Sequence, residues 1–114
     1  SAALRQTLIT AGKTLNLELV EKGTYGCTQG PRLETAAEIR RMQNDGCDLV
    51  GMTGMPEAAL AREISVEYAS IAVVANWAAG LGEETITMND IERALQQGME
   101  KVKRLVSESV RSCT

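Results

Sequence analysis

A continuous apolar run, Ala69-Ser70-Ile71-Ala72-Val73-Val74-Ala75, sets the terms for this chain. It has the length of a strand and no polar alternation, the pattern of a strand buried on both faces of a sheet. Such a strand needs helices above and below it. Helical patterns occur on either side, so the expectation is an α/β layered fold, a mixed sheet flanked by helices. The chain has 114 residues, one domain's worth at most. Its sheet would hold about four short strands, against the ~5–6 of an average sheet. The expectation is therefore a small fold or a piece of a larger one.

The other elements are read from spacing and punctuation. Leu4 and Leu8 suggest a helix over about Ala2–Thr10, with no clear cap. Two short strands are expected around Leu17–Glu21 and Gly23–Cys27. Gly30-Pro31 breaks the chain. Thr35-x-x-Glu38 fits a capping box, with Leu33, Ala36, Ile39 and Met42 at helical spacing. Asn44-Asp45-Gly46 carries the turn chemistry to end that helix. Asp48–Met52 reads as a buried strand, and Pro56 as the first residue of another helix. In the last helix Thr87 is the candidate cap. Met88, Ile91, Leu95, Met99, Val102 and Val106 form one apolar stripe.

Composition excludes several classes of function. Twelve Lys+Arg against fifteen Asp+Glu give a net charge of −3, and the basic residues do not cluster, which argues against nucleic acid as a partner. No apolar run approaches the ~18–20 residues of a membrane span, and the start, Ser1–Arg5, lacks a secretory signal pattern. The 3 Cys have neither paired nor metal spacing, so a reducing cytoplasm is expected and no disulfide framework or metal site. Cys27, Cys47 and Cys113 read as small apolar or surface residues, and Glu83-Glu84 as a solvated loop. With 0 His, the chain supplies no imidazole base, His ligand or Ser-His triad.

Four segments carry a more specific signal: Gly23-Thr24-Tyr25; Gly30-Pro31-Arg32-Leu33-Glu34-Thr35-Ala36-Ala37-Glu38; Val50-Gly51-Met52-Thr53-Gly54-Met55-Pro56-Glu57; and Val73-Val74-Ala75-Asn76-Trp77-Ala78-Ala79-Gly80. In this order and at this spacing they resemble the trimeric purine nucleoside and methylthioadenosine phosphorylases. The resemblance runs from about Gly23 to the C-terminus. It matches only the C-terminal part of the family's subunit, so residues 1–114 are expected to be the C-terminal part of a single phosphorylase domain. The family's N-terminal phosphate-binding loop, with its Arg and His, has no counterpart here.

The resemblance implies roles for particular residues, each beside a plainer reading. Glu34 is implied as the carboxylate that accepts the purine N1–H, a strong and directional charge-assisted bond. On spacing alone it is equally an acid favouring a helix N-terminus. Asn76, just past the apolar run, is implied as the purine selector; without the resemblance it is a turn-forming Asn. Its amide can donate to O6 and accept from a protonated N7. An acid there would suit a 6-amino group instead, so Asn76 followed by Ala78 points to 6-oxopurines. Thr53 is implied as a phosphate ligand, helped by the following helix N-terminus, or is only a cap or turn residue. Val50, Met52 and Ala75 line ribose and base in the family, though Val50 and Met52 would ordinarily be core. Tyr25 packs near the sugar, or is simply a strand aromatic. Leu33 takes a base-facing place that is often aromatic in relatives. Trimeric purine nucleoside phosphorylases carry a His near the start of the last helix, facing a 5′-hydroxyl. Met88 stands there, with Ile91 one turn on, and a thioether suits a methylthio group. Both also fit the apolar stripe.

The function so implied is phosphorolysis of a purine (5′-methylthio)nucleoside, 6-oxopurine-preferring, to free purine and a ribose 1-phosphate. Phosphate is the co-substrate, no metal or organic cofactor is needed, and the assembly is a homotrimer with the N-terminal part of the same chain present. Methylthioadenosine phosphorylase and general purine nucleoside phosphorylase are the rival enzymes. A hydrolytic nucleosidase would want an acid at position 76. A fragment alone, without the phosphate ligands, would be inert.

Overall fold

The computed structural model describes residues 1–82 and 87–112, and the Glu83-Glu84 pair and Cys113 lie outside that set. The elements run α1 (Ala2–Thr14), β1 (Tyr25–Cys27), α2 (Ala36–Asn44), β2 (Leu49–Gly51), α3 (Glu57–Glu63) and α4 (Met88–Ser112).

The centre is a βαβ unit. β1 and β2 are parallel neighbours, with Tyr25 opposite Leu49, Gly26 opposite Val50 and Cys27 opposite Gly51. Parallel strands need a crossover, and α2 supplies it. α2 starts where the sequence says it should: Thr35 Oγ1 accepts from the Glu38 N–H at 3.2 Å, and Glu38 Oε2 accepts from the Thr35 N–H at 2.7 Å. It stops at Asp45, and Gly46 follows with φ +87°. Ile39 and Met42 form its buried face. The Met42 methyl lies against Gly26 of β1, in space that a side chain there would occupy.

A second layer is made by α1 packing on α4. Ile9, Ala11 and Leu105 are buried at this end, and the buried Ser109 hydroxyl is satisfied by the Leu105 carbonyl at 2.7 Å. α1 runs further than its Leu spacing suggested, to Thr14, and it has a cap: Ser1 Oγ accepts from the Leu4 N–H at 3.1 Å.

The α/β reading holds, with four corrections. The Leu17–Glu21 strand is absent. Leu17–Glu21 instead folds back along α1, where Leu19 lies over Gly12 and Lys13 pairs with Glu21 at 2.9 Å; Val20 is 94% exposed. The Ala69–Ala75 run forms no ladder among the described residues. It is extended, with Ile71, Val73 and Ala75 half-buried while Ala72 and Val74 face out. Among the described residues α4 covers one side of it, where Gly98 gives up its side-chain space to Val73. Pro56 is the N-cap of α3, one place before the first helical residue. Finally, α4 does not bury the expected stripe as a unit. Ile91, Ala94, Gly98, Val102, Leu105 and Ser109 face inward, whereas Met88, Leu95, Met99 and Val106 are exposed. The apolar face of α4 is wider than what covers it.

Candidate active site

In parallel α/β units, ligands bind beyond the carboxyl ends of the strands. Here the parallel strands β1 and β2 leave on the same side, and the 69–75 run meets them along one cleft. β1 ends at Cys27 and leads through Thr28 to Leu33-Glu34; β2 ends at Gly51 and leads to Met52-Thr53; the extended run ends at Ala75 and leads to Asn76. Between them and the first turns of α4 lies a cleft of about 900 Å³. Tyr25, Leu33, Glu34, Val50, Met52, Thr53, Ala75, Asn76, Met88 and Ile91 all line it. Residues as much as 77 positions apart in sequence, Tyr25 and Val102, thus line a single cavity.

Glu34 is half-buried, and its Oε1 accepts from the Thr28 hydroxyl at 2.7 Å. Asn76 is exposed, and its Nδ2 donates to the Trp77 carbonyl at 2.8 Å. A carbonyl only accepts, so this bond fixes which end of the amide is the donor. One amide N–H and Oδ1 remain for a ligand.

Thr53 and Tyr25 form a second pair. The Thr53 N–H donates to the Tyr25 phenol oxygen at 3.3 Å, and the two hydroxyls are 3.4 Å apart. The phenol reaches that place because residues 51 and 54 are glycines. A Cβ on Gly51 would meet the phenol oxygen, and one on Gly54 would lie 3.0 Å from Tyr25 Cε1. The expected help from a helix N-terminus is not found. α3 begins only at Glu57, has 7 residues and carries that acid in its first turn, and the Thr53 N–H is already used. Thr53 therefore offers its hydroxyl.

Leu33 and Met88 are the exposed apolar walls, at 74% and 68%, and Ile91 is half-buried beneath Met88. Among the described residues no Lys or Arg lines the cleft. Arg32, next to Leu33, is engaged elsewhere: it holds Glu38 through both terminal guanidinium nitrogens, at 2.9 and 2.7 Å. That pairing, with the Thr35 backbone bond, holds the Glu38 carboxyl down to about 2. At α4, the Thr87 hydroxyl and N–H hold the Asp90 carboxyl below its ordinary range.

Two residues in contact with the candidate groups escaped the sequence reading, Trp77 on the cleft wall and Thr28 behind Glu34, outside the cleft lining. Trp77, 69% exposed, adds aromatic surface and orients Asn76. Thr28 touches Glu34. Cys27 and Cys47 are half-buried and unpaired.

Residues 1–111 match the family model of the phosphorylase superfamily. The chain belongs to that superfamily. It is 58% identical over 103 residues to the "Probable S-methyl-5'-thioinosine phosphorylase" of Pseudomonas syringae pv. tomato, covering 90% of this chain and 42% of that protein. It is 46% identical over 103 residues to the 6-oxopurine nucleoside phosphorylase of Pyrococcus furiosus, covering 90% of this chain and 39% of that one. Methylthioadenosine phosphorylase from Schistosoma mansoni in complex with adenine superposes with a TM-score of 0.90 at 25% identity, over 99% of this chain and 46% of that chain. The chain thus spans less than half the length of the curated relatives it matches.

Proposed function

We propose that the complete protein to which these residues belong cleaves a purine (5′-methylthio)nucleoside by phosphorolysis and prefers a 6-oxopurine base. The N9–C1′ bond breaks and its electron pair leaves with the purine. An oxygen of hydrogen phosphate forms the new bond to C1′, and the proton that the phosphate gives up is balanced by one taken up from solvent at purine N7. No covalent nucleophile is involved. The protein's part is to position phosphate and to stabilise charge on the departing base.

The observation that carries this reading is the presence of Glu34, Asn76 and Met88 on the walls of one cleft. Glu34 keeps Oε2 for the N1–H of a 6-oxopurine. Asn76, with one N–H and Oδ1 unused, donates to O6 and accepts from N7–H. Val50, Met52, Ala75 and Leu33 supply apolar contact to base and ribose, Tyr25 stands by the sugar, and Thr53 gives one hydroxyl to phosphate. Met88 and Ile91 receive the 5′-methylthio group. The relatives named for 6-oxopurines and methylthioinosine lie at 46% and 58% identity, against 25% for the methylthioadenosine enzyme, which supports the same base preference.

The cations that phosphate needs come, on this reading, from the N-terminal part of the same domain, of which residues 1–114 are the C-terminal part. Support comes from the lack of Lys or Arg among the described cleft residues and from the share of the relatives that the chain spans. The proposed assembly is a cytoplasmic homotrimer, with phosphate as co-substrate and no metal or organic cofactor. Light scattering with intact mass measurement on the protein purified from its source checks both the subunit length and the trimer.

Kinetics on the complete protein test the reaction. Base release should require phosphate; release in phosphate-free buffer would make it a nucleosidase. Methylthioinosine should exceed methylthioadenosine in kcat/KM, because a 6-amino group leaves polar groups unpaired at about 1–3 kcal/mol each. Asn76→Asp should move preference toward the adenosine analogue. Methylthioinosine should also exceed inosine by about tenfold to several hundredfold. About 50 Å² more apolar burial contributes on the order of 1 kcal/mol, and an unpaired 5′-hydroxyl adds ~1–3 kcal/mol. Equal efficiency on inosine would leave a general purine nucleoside phosphorylase.

A further inference from the structure

We infer that Thr28 is a positioning residue for the base: its hydroxyl holds Glu34 as a charged acceptor with one oxygen turned over to the substrate. The inference rests on the reading that Glu34 receives a 6-oxopurine N1–H. It adds a residue that the reading does not contain.

Three observations carry it. Thr28 is anchored to the sheet and not to the loop. Its N–H donates to the Gly51 carbonyl at 2.9 Å, which extends the β1–β2 ladder one residue beyond the strands. Threonine is β-branched, so a fixed backbone also fixes the hydroxyl to few rotamers. That hydroxyl then has two acceptors in reach, Glu34 Oε1 at 2.7 Å and the Gly51 carbonyl at 3.4 Å. It carries one proton, and the shorter contact has the length of a bond to a charged oxygen. Finally, the neighbouring cation directs its hydrogen bonds elsewhere. Arg32, two residues from Glu34, places both terminal guanidinium nitrogens on Glu38 and one of them also on the Leu33 carbonyl, and it meets Glu34 through charge alone.

The arrangement divides the work of two donors between two carboxylates. Glu38 receives the cation and serves the helix; Glu34 receives a neutral hydroxyl and serves the cleft. An arginine on Glu34 would compete with the purine N1–H for the same lone pairs and would offset the charge that makes the acceptor strong. A single hydroxyl occupies one oxygen and leaves the other. It also removes side-chain freedom that the ligand would otherwise have to freeze on binding.

Thr28→Val keeps the shape and deletes the proton. In the complete protein it should lower kcat/KM for methylthioinosine by about tenfold, mainly through KM, and Thr28→Ser should recover most of that loss. A merely structural role would not couple to Glu34, so the deciding readout is a double-mutant cycle. In a Glu34→Gln background, Thr28→Val should cost less than about twofold. Calorimetric binding of hypoxanthine runs the same cycle without turnover, which separates this inference from the proposed reaction. A protein that binds hypoxanthine through the Thr28–Glu34 couple but shows no phosphorolysis would overturn the reaction and keep the pair. Wild-type kinetics in a folded Thr28→Val protein, the same loss in both backgrounds, or no hypoxanthine binding would each overturn the inference. If the valine variant does not fold, Thr28→Ala against Thr28→Ser gives the same comparison.

Discussion

Residues 24–53 on the one hand, and residues 69–82 with α4 on the other, both line one cleft, and they are finished to different degrees. The first region closes on itself. β1 and β2 pair, α2 crosses between them with a reciprocal cap at one end and a glycine at the other, and Glu34, Glu38, Tyr25 and Thr53 all have partners within it. The second region is extended chain without a ladder, followed by a helix that covers one side of it. Val74, Trp77, Met88, Leu95, Met99 and Val106 stay exposed there. The first wall therefore owes its shape to short-range chemistry, whereas the second presents apolar surface and backbone groups whose partners are not among the described residues. The difference predicts where substitutions act on function and where they act on stability.

The largest expected effect is on the finished wall. Glu34→Gln replaces a charged acceptor of N1–H by a neutral amide without changing its size. It should lower kcat/KM for 6-oxopurine nucleosides by about 1.5–3 kcal/mol, or roughly tenfold to a hundredfold or more. The melting temperature should hardly move, because the other Glu34 contact is the Thr28 hydroxyl, which an amide oxygen can also accept. Unchanged kinetics in the complete protein would reduce Glu34 to an acid at a helix end and remove the functional distinction between the walls.

On the other wall the expected effect is on stability. Gly98 faces Val73, and a Cβ would overlap the stiff valine side chain. Overpacking costs ~1–3 kcal/mol, and the better helix propensity of alanine returns up to about 1 kcal/mol. Gly98→Ala should thus destabilise the complete protein by about 1 kcal/mol in urea denaturation. A stabilised variant would mean that the 69–75 segment is free to move away from α4, and that this wall is looser than the helix contact indicates.

These two cases also show what could be read from residues alone. The Thr35–Glu38 capping box and the Asn44-Asp45-Gly46 stop depend on neighbours a few positions apart, and they were legible; the cleft segments were legible through the family resemblance. All ten site residues proposed from the resemblance line the same cleft, though their chemistry awaits the kinetics. What was not legible depends on partners distant in sequence. An apolar run such as Ile71–Ala75 specifies that it wants cover, not what will cover it. The Leu17–Glu21 pattern had strand-like residues but no neighbouring strand, and Leu19 found Gly12 instead. The Met88–Val106 stripe mixed a face that meets α1 and Val73 with one that meets nothing described. Thr28 was missed because a lone threonine after a strand has no spacing signature.

The helix caps allow a finer comparison. Thr35→Ala removes a 3.2 Å acceptor from a 9-residue helix, and Thr87→Ala removes a 3.3 Å acceptor from one of 25 residues. Losing a Thr cap costs about 0.5–2 kcal/mol. The first should fall near 1 kcal/mol, because α2 connects the two paired strands and cannot fray without moving them. The second should fall near 0.5 kcal/mol, confined to the first turn of α4. Hydrogen exchange would show it: protection lost across α2 in one variant, and only near Met88–Ile91 in the other. Equal and local effects would mean that the βαβ unit is no more cooperative than the other wall.

The smallest effect concerns protons, and it tests whether the two carboxylates of the finished wall are really kept apart. The Glu38 carboxyl is held to about 2, against an ordinary 4.5, first by the Arg32 side-chain bond and next by the Thr35 backbone N–H. A depressed value means the stabilising contribution is fully present above pH 4.5 and is lost as pH falls from there toward 2. Because the pair is exposed, the change in global stability should be slight, and carbon-detected NMR of the carboxyl is the better measurement. The wild type should titrate near 2. Arg32→Ala should raise the midpoint most of the way back, and Thr35→Ala should move it little, since the backbone N–H remains. Arg32→Ala should leave methylthioinosine kinetics nearly unchanged, because Arg32 serves Glu38 and not the cleft. If instead Glu38 titrates near 4.5, Arg32 is not committed to it. A guanidinium two residues from Glu34 is then free to take that carboxylate or a phosphate, and the division of donors between helix and cleft fails at its most accessible point.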